Sequence, residues 1–306
     1  MKDISEKVIC PLTGDFSAEV FKRHNSVKII EYYKENLSVD VERFFLEKEF
    51  DEYKCFNTGF RFYHPQSLGG DAKYYADMER FDWYYPESKW EYDFVLEKID
   101  SGSSVLEIGS GEGFFLKKLK SKNIEAVGLE LNHEAAKIAN NNGLSVEVLP
   151  IQDYVVQNNS KFDVVCSFQV MEHIYEIKDV LEASVKALKK AGNLIICVPN
   201  NDSFIKNDEA NILNLPPHHT CLWTKESLRG LTKIFPLEIV DLKEEPLQKC
   251  HLEWYSRLLR ERSIDKIPFL RGAFYRLGGV NILNWLLSKF SNRITGMSVI
   301  ATFKKK

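Results

Sequence analysis

The chain has 306 residues, 44% of them hydrophobic and 28% charged, which is ample material for a core and ordinary for a globular protein. A formal charge of −3 gives no global basic field, so nucleic acid is not expected as a partner. No run of about 18 apolar residues occurs, so no transmembrane segment is expected, and Met1–Lys7 lacks the apolar stretch of a signal peptide.

The six cysteines (10, 55, 166, 197, 221, 250) are scattered, with no C-x-x-C pair. Cys166 and Cys197 lie in apolar strand-like runs and read as reduced core thiols, which suits a cytoplasmic setting. Cys10-Pro11-Leu12-Thr13 is half of a zinc knuckle with Thr13 where a second cysteine would stand, so no metal is expected there.

Residues 1–85 are rich in aromatic and charged side chains with weak periodicity. Short helices are expected within Ala18–Leu46, and a loop or hairpin over Phe56–Pro65. Pro86 suits a first helical turn, and Trp90, Phe94, Val95 and Ile99 recur at helical spacing after it. The region has few separate apolar segments, so 1–85 reads as a cap or substrate region on a main domain spanning 86–306.

From 104 to 200 strand and helix patterns alternate, which predicts a parallel α/β sheet. Strands are expected at 104–108, 125–130, 145–149, 162–167 and 193–198, and helices near 113–121, 133–141, 176–190 and 225–234. Asn132 suits an N-cap and Gly143 a helix stop. Two further strands, 237–242 and 297–303, flank a helical insertion over 250–295. Residues 251–293 carry eight Lys/Arg against three acids, a net +5. This stretch reads as an amphipathic helical pair packed on the domain, or as a contact for an anionic substrate or a membrane surface. The sequence carries nothing on oligomeric state.

The most informative run is Val105-Leu106-Glu107-Ile108-Gly109-Ser110-Gly111-Glu112-Gly113-Phe114. It reads as a buried strand, a turn with glycines at alternate positions, and a helix whose N-terminal N–H groups face the turn. Glu107 closes the strand two residues before the first glycine. It would repel a pyrophosphate and hold a ligand that carries an amino group.

This run resembles the first motif of the class I S-adenosylmethionine-dependent methyltransferases, E/D-x-G-x-G-x-G. The resemblance implies S-adenosyl-L-methionine as cofactor and a Rossmann-like seven-stranded sheet with helices on both faces, its last strand antiparallel. It also implies cofactor contacts from Glu107, Gly109, Gly111 and Gly113. Glu130, 17 residues past Gly113, falls where an acid at the end of the second strand takes the ribose hydroxyls, with Asn132 beside it. Asp153, supported by Gln152, stands where the family contacts the adenine amino group. Gln169, in Phe168-Gln169-Val170-Met171-Glu172-His173, falls along the cofactor's methionine part.

On the acceptor side the candidates are His173, which otherwise reads as a core histidine, and His218 and His219 in Leu215-Pro216-Pro217-His218-His219. Adjacent residues on extended chain point apart, so at most one of the last two is expected to face the substrate. Similar Pro-Pro-His-His loops occur in bacterial members of the family tied to glycan and secondary-metabolite synthesis. The expected function is therefore O-methylation of a sugar, glycan or small hydroxylated metabolite, with a histidine as general base and no metal. Two alternatives stand beside it. One is a metal-assisted O-methyltransferase using Glu172, His173 and His218, with Gln169 in place of the first carboxylate of E-x-x-E-H. The other is a non-catalytic cofactor-fold subunit. A nicotinamide oxidoreductase is disfavoured by Glu107 and by the late strand pair.

Overall fold

A computed structural model describes residues 8–81, 84–208 and 210–306. The signal-peptide reading of Met1–Lys7 lies outside them.

In chain order, the N-terminal region holds β1 (Ala18–Asn25), α1 (Ser26–Tyr32), β2 (Glu49–Cys55), β3 (Arg61–His64) and α2 (Ala72–Glu79). The main domain runs through α3 (Trp90–Leu96), β4 (Ser104–Ile108), α4 (Phe114–Ser121), β5 (Glu125–Leu129), α5 (His133–Asn141), β6 (Val146–Glu147) and α6 (Ile151–Tyr154). It continues with β7 (Phe162–Phe168), α7 (Ile177–Ala187), β8 (Leu188–Pro199), β9 (Cys221–Leu222), α8 (Lys225–Gly230) and β10 (Leu237–Pro246). The insertion is α9 (Leu252–Arg262), α10 (Pro268–Arg276) and α11 (Gly279–Phe290), and β11 (Thr295–Lys305) follows it.

Seven strands form the main sheet in the order β10-β11-β8-β7-β4-β5-β6. β4, β5, β6, β7 and β8 pair in parallel, while β11 runs antiparallel to both β8 and β10. Both faces are covered, as expected for strands with near-continuous apolar runs. Period-two alternation divides the side chains between two cores. Leu106, Val165, Leu194 and Ile196 face one core with α7, and Val105, Val164, Cys166 and Ile195 face the other with α3, α4 and α5. The anticipated seven-stranded α/β architecture is present.

Local chemistry sets the helix ends near the sheet. The Asn132 side chain accepts from the Glu134 and Ala135 N–H groups and starts α5. Thr224 starts α8 in a capping box with Ser227.

Several local expectations need correction. The expected short helix within 18–46 is α1, but the stretch before it, Ala18–Asn25, is a strand because it pairs with β2. Pro86 precedes rather than opens a helix, since α3 begins at Trp90. The helix expected over 176–190 ends at Ala187, and Leu188–Lys190 already belong to β8. The helix expected over 225–234 is regular only to Gly230 and tightens into a 3₁₀ turn after it.

The N-terminal region builds its own antiparallel sheet, β1-β2-β3, and an apolar cluster that includes Ile29, Tyr33, Phe50, Tyr63 and Tyr74. Its fourth strand is β9, donated by the main domain, with Phe62 opposite Cys221 and Arg61 opposite Leu222. That strand directly follows the Pro-Pro-His-His segment, so the N-terminal layer and the candidate acceptor loop are held together.

Candidate active site

The loop after β4 is shaped by positive φ angles at Gly109, Gly111 and Gly113, of 70°, 52° and 82°. A Cβ on Gly109 would stand 2.4 Å from Val170 of the loop after β7. The two loops therefore touch because nothing larger than glycine is there.

Glu107 sits under this loop, 1% exposed, and its Oε2 has no hydrogen-bond partner among the described residues. Burial pushes its carboxyl well above the usual range; the Lys89 charge opposes that and the Glu130 charge adds to it. A buried carboxylate lacking a partner is unfavourable by several kcal/mol. It is the group an ammonium would satisfy.

Glu130 ends up as a clamp. Its Oε2 accepts from the Gly111 N–H at 2.8 Å and its Oε1 from the Asn132 N–H at 2.8 Å, tying the glycine loop to the start of α5. The Asn132 side chain caps α5 and also bonds Glu79 at the end of α2. Glu79 accepts in turn from the Tyr85 hydroxyl at 2.9 Å, and the Tyr85 ring lies over Gly111. Glu79 and Tyr85 thus roof the loop. Sequence reasoning missed both, and the one signal was the aromatic run just before α3.

Gln169 stands at the carboxyl end of β7 in the left-handed region, with φ 58°. Its backbone N–H donates to the Cys197 carbonyl at 2.9 Å, and its amide donates to Ser298 Oγ at 3.1 Å and Glu91 Oε1 at 3.4 Å. Gln152 is half-buried and Asp153 exposed, both on the single-turn α6 that follows β6.

The acceptor-side histidines come together. The carbonyl of Val170, the residue against Gly109, accepts from the His173 N–H at 3.0 Å, which sets that histidine one turn from the glycine loop. The Glu172 carbonyl accepts from the Thr220 N–H at 2.9 Å and pins the Pro-Pro-His-His segment alongside. That segment is turned rather than extended, since both the His218 and His219 N–H groups donate to the Leu215 carbonyl. The expectation that the two rings point apart is therefore corrected: they stack with centroids 5.0 Å apart. The His173 ring lies 4.8 Å from that of His218 and 5.0 Å from that of His219.

His173 Nδ1 donates to the His218 carbonyl at 2.6 Å, His218 Nδ1 meets the Tyr74 hydroxyl at 3.1 Å, and His219 Nδ1 meets Asn214 Oδ1 at 3.1 Å. With each Nδ1 engaged, Nε2 is the nitrogen left for other work. One ring nitrogen from each residue falls within 4.8 Å of the others. Burial holds all three imidazoles neutral: His173 is pushed down to about 4 and the other two well below the usual value. Burial also raises the neighbouring Glu172 carboxyl to about 8.

The model of the methyltransferase-domain family matches residues 86–242. This chain belongs to that family. Its fold and first motif are those of the class I S-adenosylmethionine-dependent methyltransferases, and S-adenosylmethionine is the cofactor that goes with them. An uncharacterized protein of Methanocaldococcus jannaschii is 30% identical over 131 residues, 42% of this chain and 61% of that protein. The ubiquinone biosynthesis O-methyltransferase of Vibrio atlanticus is 25% identical over 118 residues, 36% of this chain and 50% of that one. The chain thus spans between half and two thirds of the length of these relatives. The crystal structure of a Pyrococcus horikoshii protein shares the fold, with a TM-score of 0.50 at 14% identity over 78% of this chain and all of that one.

The residues present fit the cofactor. The orphaned Glu107 carboxylate would take its ammonium, and the glycine loop gives close backbone approach. Glu130 keeps lone pairs beyond the two that face the loop for the ribose.

The shifted groups make a testable pH dependence. Folded Glu172 keeps its proton up to about 8, whereas the unfolded chain releases it near 4.5, so its contribution to stability declines as pH rises between these values. His173 acts oppositely: folded it protonates only near 4, unfolded near 6.5, so stability is lost as pH falls through that window. Thermal unfolding of the cofactor-free protein should show stability falling on both sides. Glu172→Gln should make the alkaline limb shallower and leave the acid limb unchanged, Glu107 and Glu245 supplying the rest of the alkaline loss; an unchanged alkaline limb would rule this assignment out.

Proposed function

We propose that this chain transfers a methyl group from S-adenosylmethionine to a hydroxyl oxygen of a sugar or small hydroxylated metabolite. The observation that carries this is the cluster of three neutral imidazoles one turn from the glycine loop. When bound, the cofactor supplies an electrophilic methyl group on a sulfonium sulfur. Glu107 holds the amino-acid end, the glycine loop and Glu130 hold the adenosine side, and Asp153 with Gln152 stands on the adenine side.

His173, His218 and His219 line the acceptor side with Tyr74, Tyr75 and Tyr84, whose rings pack edge-on or tilted against His173 and His218. Aromatic walls suit a flat or ring-shaped acceptor. An Nε2 lone pair in this group accepts the hydroxyl proton as the oxygen attacks. Positioning contributes about 7–11 kcal/mol and the base roughly 10²–10⁴-fold. That one of the two relatives is named an O-methyltransferase supports oxygen as the acceptor atom without naming the acceptor. The five buried, unpaired cysteines among the described residues support a cytoplasmic setting.

A second reading is favoured by the same cluster. Three neutral imidazoles whose Nδ1 atoms are fixed by protein partners form a donor set for a divalent ion, with Glu172 alongside. Such an ion would lower the acceptor hydroxyl's pKa. A panel of sugars and phenols with methyl-labelled cofactor, run before and after chelation, separates the two. Under the first reading the rate survives chelation. Under the second it collapses and returns with added Mg²⁺, Mn²⁺ or Zn²⁺. Transfer to amines or thiols alone would remove both.

A further inference from the structure

The insertion between β10 and β11 presents a surface that the fold does not cover. Nine of the 21 large apolar side chains exposed among the described residues fall within 267–290. Phe269 and Leu277 on and just after α10 are 83% and 78% exposed, and Trp285 on α11 is 60% exposed. On α11, Ile282, Trp285, Leu286 and Phe290 follow helical spacing along one outward face, while Leu287 turns inward. The helix is thus apolar on two sides, and among the described residues only the inner one is covered.

Charge narrows what the outward side meets. From Lys266 to Arg293 the chain holds five basic residues and no Asp or Glu, in a protein of net charge −3. Lys266, Arg271, Arg276, Lys289 and Arg293 are all exposed. Arg271 leans toward Asp265 at 4.0 Å, and Arg276, Lys289 and Arg293 have no ion pair among the described residues. A basic rim around exposed Phe, Trp and Leu is the chemistry of a helix lying in an anionic lipid interface. A two-fold contact with a second copy would instead set this basic rim against its own like.

The geometry suits peripheral rather than spanning attachment. No helix among the described residues is long and apolar enough to cross a membrane. The base of the insertion is tied to the main domain: Arg257 on α9 pairs with Asp208 at 2.9 Å, and Trp254 packs edge-on against Phe204 at 5.0 Å. The α10–α11 pair therefore projects from a firm footing.

We propose that α10 and α11 dock this enzyme on an anionic lipid bilayer, with Phe269, Leu277, Trp285 and Leu286 inserted and the basic residues on the headgroups. The inference stands on this surface and not on the acceptor reading. The test is co-sedimentation of the full chain with phosphatidylcholine vesicles, with and without phosphatidylglycerol. Binding is expected only to the anionic vesicles, falling with salt. Phe269→Ser/Trp285→Ser and, separately, Arg276→Glu/Lys289→Glu should each weaken it about tenfold or more while calorimetric binding of S-adenosylhomocysteine stays unchanged, which shows the variants fold. Trp285 emission should shift to the blue on binding, with Trp285→Phe removing the shift. Absence of binding, or binding that neither double variant weakens, would overturn the proposal. So would a concentration-dependent dimer dissolved by Phe269→Ser/Trp285→Ser.

Discussion

Glu107→Gln should weaken S-adenosylmethionine binding about a hundredfold and leave the cofactor-free protein as stable as before, or more so. Two facts about one carboxylate produce this pairing. Glu107 is buried with an unpartnered Oε2, so on its own it is a liability that burial and the Glu130 charge make worse. Glutamine keeps the shape and removes the uncompensated charge, which favours the empty fold. The same change removes the anion that an ammonium would pair with, and truncating one side of a desolvated charged pair costs about 2–5 kcal/mol of binding. Calorimetry and thermal unfolding of one variant read both effects. A variant that binds normally, or one that loses binding because it unfolds, contradicts the role.

Substitution in the histidine cluster should do the reverse. His173→Ala should lower kcat by roughly 10²–10⁴-fold, the range for loss of a general base, with cofactor affinity nearly unchanged. His173 reaches the glycine loop only through its backbone bond to Val170, which alanine preserves. His218→Ala and His219→Ala should each reduce kcat too, since the three rings stand within 5.0 Å of one another. If all three variants keep full rates on the acceptor found by the panel, the cluster is structural and the base assignment falls. If the losses track bound divalent ion, measured by elemental analysis of each variant, the metal reading gains over the base.

Much of this was legible in the sequence because the signals are local. Buried parallel strands read as short apolar runs, and α5 was bounded by its Asn132 cap and its Gly143 stop. The turn after β4 needs left-handed backbone at Gly109, Gly111 and Gly113, and glycine announces that need. What escaped depends on contacts distant in sequence. β1 is a strand because β2 pairs with it, yet six of its eight residues are exposed, so no period-two pattern was written there. β9 is two residues long and exists through its bonds to β3. The turn at Leu215 that stacks His218 on His219 is set by hydrogen bonds that residue types alone do not encode. Glu79 and Tyr85 come over the glycine loop from a region whose weak periodicity marked it only as a cap. Glu130 was legible as an acid in the right place, while its grip on the Gly111 N–H was not.

The central claim is that the loop after β4, Glu107 and Glu130 form a site for a cationic adenosyl amino acid. Calorimetric titration of the wild-type chain with S-adenosylmethionine, and in parallel with NADH, tests it most directly. Saturable one-to-one binding of the first and none of the second is the expected result. Heat from NADH, or none from S-adenosylmethionine, would contradict it.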